Sequence, residues 1–277
     1  MPCKVLDIYR DLPRTNTGDC GRANCFAFAS AVYLDGAPLS DCPHLSPEKR
    51  AEMEAKLAEG RSRGEGRKPE AIRQAWDALE REVSAADFAQ LAARCGAVHL
   101  AADPEALELR LIDQVLRIVR TGPGALDVEA VTGEAPSPAV RVLLLLYAGR
   151  SKGTRPAGEW ASPRELPITR TKAAEFDEAA RQIADRFGGR LRDLDEAVRH
   201  LGGERRDLGV GSADRAYVIP ALPRVDLLLL VWESTDEFSA RASFLADRSL
   251  PDHLEPEPAC VVAQLVAKRL LGESAAA

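Results

Sequence analysis

The chain has 277 residues, 45% of them apolar and 29% charged, which is enough for one substantial core and a small accessory domain. Its 37 basic and 43 acidic residues give a formal charge of -6 with the two signs interspersed, so there is no electrostatic case for nucleic acid. No apolar run approaches the roughly 20 residues of a membrane span, and the start MPCKVLDIYRDLP lacks the apolar stretch and cleavage site of a secretory signal. The expectation is a cytoplasmic protein without membrane insertion, in which clustered cysteines are ligands or redox groups rather than structural disulfides.

Residues 1–60 read as a small unit. Asn24 is placed to cap a helix whose apolar positions Phe28, Ala31 and Val32, with Leu34 nearby, fit a 3.6 period, and Gly36 follows its end. Ser46 and Pro47 start a second helix that closes near Gly60. So small an apolar payload needs a staple, either a metal site or docking onto the rest of the protein. The Gly-rich, charged EGRSRGEGRKPE then supplies a linker at 61–69. Beyond it Ile72, Trp76, Leu79 and Val83 step as one face of a helix. Ser84 with Asp87 resembles a capping box for the next helix, carrying Phe88, Leu91 and Cys95 and stopping at Gly96.

From Ala97 the period changes. Leu107, Leu109 and Leu111 alternate, predicting strands or a hairpin. Ser137 and Pro138 open a largely buried helix, and Ser162, Pro163 and Glu165 predict a short helix cut off before Pro167. Phe176, Ala180, Ile183 and Phe187 share one helical face, and Leu191, Leu194, Val198 and Leu201 share another ahead of Gly202-Gly203. AYVIPALPRVDLLLLVWES reads as two strands joined around Pro223-Arg224, the second apolar enough to be central, and a closing helix runs from about Pro258 to Gly272. The fold class is α+β: a small helical unit, a larger mixed α+β domain over 70–272, and a disordered tail at 273–277.

Three of the six cysteines, Cys20, Cys25 and Cys42, fall within 23 positions. An iron–sulfide cluster needs soft anionic ligands converging from different directions; Cys20 and Cys25 with Gly21 between them would wrap one side, and Cys42 would return from beyond a helix. On spacing alone two other readings stand: Cys25 and Cys42 as small buried hydrophobes, or a redox thiol pair. His44, two residues past Cys42, is the one histidine near this segment, weighed as a supporting or substitute ligand against a plain surface role. Cys95 and Cys260 sit on apolar helical faces and read as core. The sequence has no HxH or HExxH pair, no phosphate-binding loop and no dinucleotide fingerprint, so catalytic residues stay unassigned.

The segment LPRTNTGDCGRANCFAFASAVYLDGAPLSDCPHLS resembles the small four-iron cluster domain of corrinoid iron–sulfur protein large subunits. It matches at Leu12, Pro13, Thr15, Asn16, Gly18, Cys20, Gly21, Cys25, Phe28, Ala29, Cys42 and Pro43. The resemblance implies a [4Fe-4S] cluster with Cys20, Cys25 and Cys42 as three ligands. The family's first cysteine is replaced by Thr17. Four outcomes stay open for that corner: Cys3 reaching in from upstream, an oxygen ligand from Thr17, Asp19 or water, a three-iron or altered cluster, or a cluster lost with the fold retained.

Residues 143–271 resemble the domain of unknown function numbered 3786. The resemblance rests on Gly158-Glu159-Trp160, Arg164-Glu165-Leu166-Pro167, Gly202-Gly203, Pro220 to Arg224, Trp232-Glu233, Asp236-Glu237-Phe238 and Phe244 to Asp247. It transfers no reaction. Within this region Trp232 and Phe238 read as core, and Ser234 with Glu237 as a capping box. A candidate pocket for an anionic or amphipathic ligand would combine Trp160, Arg164, Arg224, Trp232, Glu233, Asp236 and Glu237. The leading expectation is an iron–sulfur protein for electron transfer or redox sensing with a low-potential partner. A corrinoid partner follows from the resemblance alone. The alternatives are an enzyme or ligand carrier using an open iron, and a structural or interaction protein that has lost the cluster.

Overall fold

A computed structural model describes residues 5–15, 17–22, 24–35, 37–62, 68–102, 104–207 and 213–273. The chain divides into two compact units, Met1–Ala78 and Leu79–Ala277. Of the expected linker at 61–69, residues 63–67 lie outside the described residues, as do residues 274–277 of the expected tail.

The first unit is helical: α1 (Val5–Asp11), α2 (Cys25–Ser30) running into one π turn (Ala31–Asp35), a short 3-10 turn (Leu39–Asp41), α3 (Pro47–Ser62) and the first part of α4 (Lys68–Ala85). Asn24 caps α2 as its sequence predicts: its Oδ1 accepts from the Ala27 N–H at 2.8 Å. Ser46 Oγ likewise accepts from the Lys49 N–H at 3.2 Å, with Pro47 in the first turn of α3. A charged lattice ties α1 to α3, because Lys49 and Lys56 each reach Asp11 (3.1 and 3.0 Å) while also pairing with Glu52.

The second unit is mixed. After α5 (Phe88–Cys95), strands β1 (Val98–Leu100), β2 (Ala106–Leu111), β3 (Gln114–Gly122) and β4 (Ala125–Ala130) form an antiparallel meander in sequential order. Helix α6 (Pro138–Arg150) follows, then β5 (Trp160–Ala161), α7 (Ala173–Phe187), α8 (Leu191–His200), β6 (Glu204–Arg205), β7 (Arg215–Leu222), β8 (Val225–Trp232), β9 (Arg241–Asp247) and α9 (Pro256–Leu271). The second sheet has the order β5-β9-β8-β7-β6, all antiparallel. Its centre is β8, where Leu227, Leu228, Leu229 and Val231 are all fully buried; burial on both faces is why this strand reads as a continuous apolar run rather than an alternation. The sheets meet where the Ile112 N–H donates to Ala221 O at 2.8 Å.

Several local expectations change. Asp87, not Ser84, caps α5, accepting from the Ala89 and Gln90 N–H groups; Ser84 lies buried in the last turn of α4. The 162–167 segment forms no helix. The Glu165 and Leu166 N–H groups both donate to Ser162 O, and Pro167, which has no N–H to continue the ladder, stops its propagation. Ser234 and Glu237 open no helix either, since Thr235 Oγ1 accepts from the Glu237 and Phe238 N–H groups and closes a loop between β8 and β9. Phe238 is 71% exposed there, so it is not a core residue. Cys95 and Cys260 are buried, as expected.

Candidate metal centre

The loop after α1 turns tightly around Cys20. Gly18 and Gly21 both have positive φ (81° and 72°), a region that costs other residues a steric penalty, and the Gly21 N–H donates to Gly18 O at 2.8 Å. Cys25 is the first residue of α2 and heads its buried stripe, Cys25, Phe28, Ala29 and Val32, spaced at i, i+3, i+4 and i+7. The chain then comes back through the 3-10 turn to Cys42, whose N–H donates to Leu39 O and whose carbonyl accepts from the Leu45 N–H. Cys25 and Cys42 belong to one buried cluster with Ile8, Leu12, Phe28, Leu39, Leu45 and Met53, and the half-buried Cys20 packs against it. Three thiols from three separate segments therefore meet one small core, and none of the five described cysteines is in a disulfide.

Beside the thiols lies a polar corner. His44 Nε2 stands 2.6 Å from Asp19 Oδ2 and 3.2 Å from Thr17 Oγ1. The Asp19 N–H also reaches Thr17 Oγ1 at 3.5 Å. The bond from His44, then that from Thr17, holds the Asp19 carboxyl below the usual carboxylate range. Thr17 thus stands where the cluster pattern calls for a thiol, in contact with an imidazole and next to a carboxylate. Cys3 lies outside the described residues.

Among the described residues, no group of three or more Cys, His, Asp and Glu side chains is arranged to hold a metal ion. An iron–sulfide cluster is bound differently from a single ion: each thiolate meets its own iron at a corner, so its ligands surround a volume rather than converge on a point. The donor chemistry and the shared core fit such a group at three corners. The fourth has no described thiol.

The candidate pocket of the second unit is not brought together. Trp160 pairs with Asp247 at one end of the second sheet, whereas Trp232 pairs with Arg241 at the other end of β9. Six residues of strand separate them, about 20 Å. Arg224 belongs to the β7–β8 turn, away from Trp232, and its N–H donates to Tyr147 Oη. Arg164 is exposed and paired with Asp177. Glu233, Asp236 and Glu237 are exposed on the β8–β9 loop. Trp232 is covered instead by the Arg241 guanidinium, 4.4 Å from its ring centre.

The buried polar groups that sequence reasoning passed over are structural pins. Asp247 Oδ2 accepts from the N–H groups of Ala157, Gly158 and Glu159, and Oδ1 accepts from the N–H and hydroxyl of Ser249. Burial pushes this carboxyl up, but those hydrogen bonds outweigh it and leave it below its usual range. His253 Nε2 donates to Thr154 O, and its Nδ1 lies 3.3 Å from Ser151 Oγ; burial lowers its pKa. Tyr147 Oη donates to Cys95 O at 2.6 Å, and burial pushes the phenol well up. Only the position of Asp247 inside the Phe244 to Asp247 stretch could have signalled any of these.

These observations define a class: a thiol-bearing helical unit joined to a mixed α+β unit in which Asp247, His253 and Tyr147 are pinned by hydrogen bonds. The family model for a domain of unknown function (DUF3786) matches residues 87–269, and the chain belongs to that family. A second model, described as "Putative Fe-S cluster", matches residues 12–44, which contain all three thiols. The acetyl-CoA decarbonylase/synthase complex subunit gamma of Methanothermobacter thermautotrophicus is 43% identical over 58 residues, 21% of this chain and 13% of that protein. The corrinoid/iron-sulfur protein large subunit of Moorella thermoacetica is 40% identical over 58 residues, again 21% and 13%. The gamma subunit of Methanosarcina acetivorans is 48% identical over 54 residues, 20% and 11%. The chain thus spans only a small fraction of the curated relatives it matches. No solved structure matches it. Among the described residues, no helix is long and apolar enough to cross a membrane.

Proposed function

We propose that this chain is an iron–sulfur protein whose Cys20, Cys25 and Cys42 hold a [4Fe-4S] cluster, and that it exchanges electrons with a low-potential, corrinoid-dependent partner or reports that partner's redox state. The observation that carries this reading is the meeting of three thiols from three segments on one core, inside the stretch matched by the iron–sulfur family model. The likeness to a corrinoid/iron-sulfur protein large subunit supports a corrinoid or iron–sulfur partner. Bound there, the cluster would supply one-electron chemistry.

The residues of the chain have separable tasks. Cys25 and Cys42 present their sulfurs from an apolar core, which limits water and so disfavours added charge at the site. Cys20, on the Gly18–Gly21 turn, is half-buried and forms the side a partner reaches. The absence of a disulfide among the described cysteines suits a reducing cytoplasm. The test is a stepwise anaerobic reduction of the reconstituted protein followed by EPR, then mixing with a cob(II)alamin. The reading expects a reversible cluster signal that is discharged by the corrinoid. A protein that shows no reversible signal contradicts electron transfer, and one whose signal survives the corrinoid contradicts that partner class.

A further inference from the structure

The second sheet has two unlike faces. On one, Tyr217, Ile219, Leu227, Leu229, Phe244 and Ala246 are all 0–2% exposed, and Tyr217 Oη donates to Asp195 of α8, which puts the helices on that side. The alternate residues point the other way, and Val218, Leu230, Leu245, Trp160 and Trp232 are each partly exposed. Strand register gathers them: Val218 and Leu245 flank the buried Leu228 on its two sides, Leu230 follows two residues on, and Trp232 two beyond that. An antiparallel sheet with one solvated face ordinarily carries polar residues there. This outer face is apolar. Its exception is Asp226, two residues before Leu228 and opposite Pro220, partly buried and with no hydrogen bond or ion pair among the described residues.

We propose that this outer face is a docking surface for an amphipathic helix of a partner protein, which presents one lysine or arginine to Asp226 from among apolar side chains. A partly buried carboxylate without a donor is costly. Burial first, and then the nearby Asp247 carboxylate, push Asp226 up from its ordinary value, and Arg206 offsets this only in part. A cation from outside removes that cost. The face's own cations are engaged, Arg241 over the Trp232 ring and Arg206 with Glu204. A second copy of the chain stacked face to face would therefore bring a second unpaired carboxylate and no free cation. Size points the same way. Five strands about 4.8 Å apart and roughly six residues of length give at most about 20 by 20 Å, half of the roughly 800 Å² per partner in a stable dimer. That footprint suits a single helix of about 13 residues, which is about 20 Å long and 10 Å wide.

The test is fluorescence anisotropy of a labelled synthetic amphipathic peptide of about 14 residues, with leucines on one face and a single central arginine, titrated with the full chain. Counterpart peptides carry citrulline, its neutral isostere, or glutamate at that position. Wild type should bind the arginine peptide at least about tenfold more tightly than the citrulline peptide, and the glutamate peptide least of all. Asp226→Asn should erase the preference for arginine while its melting temperature holds or rises, whereas a carboxylate that served the fold would lower it on removal. Leu230→Ser should weaken the arginine and citrulline peptides alike. A wild type that binds neither peptide or both equally, or a preference that survives Asp226→Asn, overturns the proposal. Light scattering that shows a dimer broken by Leu230→Ser gives the face to a second copy and overturns it too. Binding is expected with or without iron, so its failure leaves the cluster reading standing.

Discussion

The two units of this chain solve the same problem with different means. In the second, β8 is buried on both faces, α7 and α9 carry continuous apolar stripes, and each interior polar group described above has its partner: Asp247 holds five donors and His253 two neighbours. In the first, the core is a handful of side chains from short helices, and two of them are cysteines. A helix of six residues such as α2 has little stability of its own. The difference teaches where the chemistry sits. The larger unit fills its interior with hydrocarbon and hydrogen-bonded polar groups such as Asp247 and His253, whereas the smaller one places thiols where an ordinary domain would place leucine.

The largest effect that could break this contrast is all-or-none. Cys25→Ala or Cys42→Ala should abolish iron retention and lower the melting temperature of the first unit, while Cys95→Ser and Cys260→Ser keep full iron. Iron loss from the latter pair would show that the buried cysteines of the second unit are not merely core. Next is Asp247→Ala, which strands several buried donors. It should destabilise the second unit by roughly 3 kcal/mol in urea unfolding, with iron content unchanged.

A smaller effect is set by pH. His253 and Asp247 both have folded pKa values below their ordinary 6.5 and 3.8, so the unfolded chain binds protons first as the pH falls. Their contribution is complete above about pH 6.5. It declines below that as His253 favours the unfolded state, and falls further in strong acid as Asp247 protonates. Unfolding followed between pH 8 and 4 should show this slope in the second unit, and His253→Gln should flatten its upper part. The smallest change should come from Lys56→Ala, since exposed ion pairs with Asp11 and Glu52 are screened by water and salt. Its melting temperature should move least of all, and less at high salt.

What could be read from the sequence was whatever a local rule decides. Asn24, Ser46-Pro47, Ser137-Pro138 and Gly272 mark helix ends because capping needs only nearby atoms, and Ser137 Oγ does accept from the Val140 N–H. Leu107, Leu109 and Leu111 alternate because β2 has one buried face. The rules failed where two structures share a signature: Ser with an acidic residue three positions on describes a capping box, but also a single turn, as at Ser162 and in the Ser234–Glu237 segment. Strand β5, two residues long, is too short to have a period. At the site, the thiols were legible from spacing and from the resemblance. The meeting of Asp19 with His44 was not, because only the folded path of α2 and the 3-10 turn brings residues 25 apart to 2.6 Å. The Trp160–Trp232 combination fails for a related reason, since strand register decides which aromatic residues share an end of a sheet.

The central claim is that the first unit is built around an iron–sulfur cluster. Iron and acid-labile sulfide content of the full chain after anaerobic reconstitution, measured beside the Cys20→Ser, Cys25→Ser, Cys42→Ser triple variant, tests it most directly. The account predicts about four irons and four sulfides for the wild type and none for the variant. A wild type that stays colourless and iron-free, or a triple variant that keeps its iron, would contradict it.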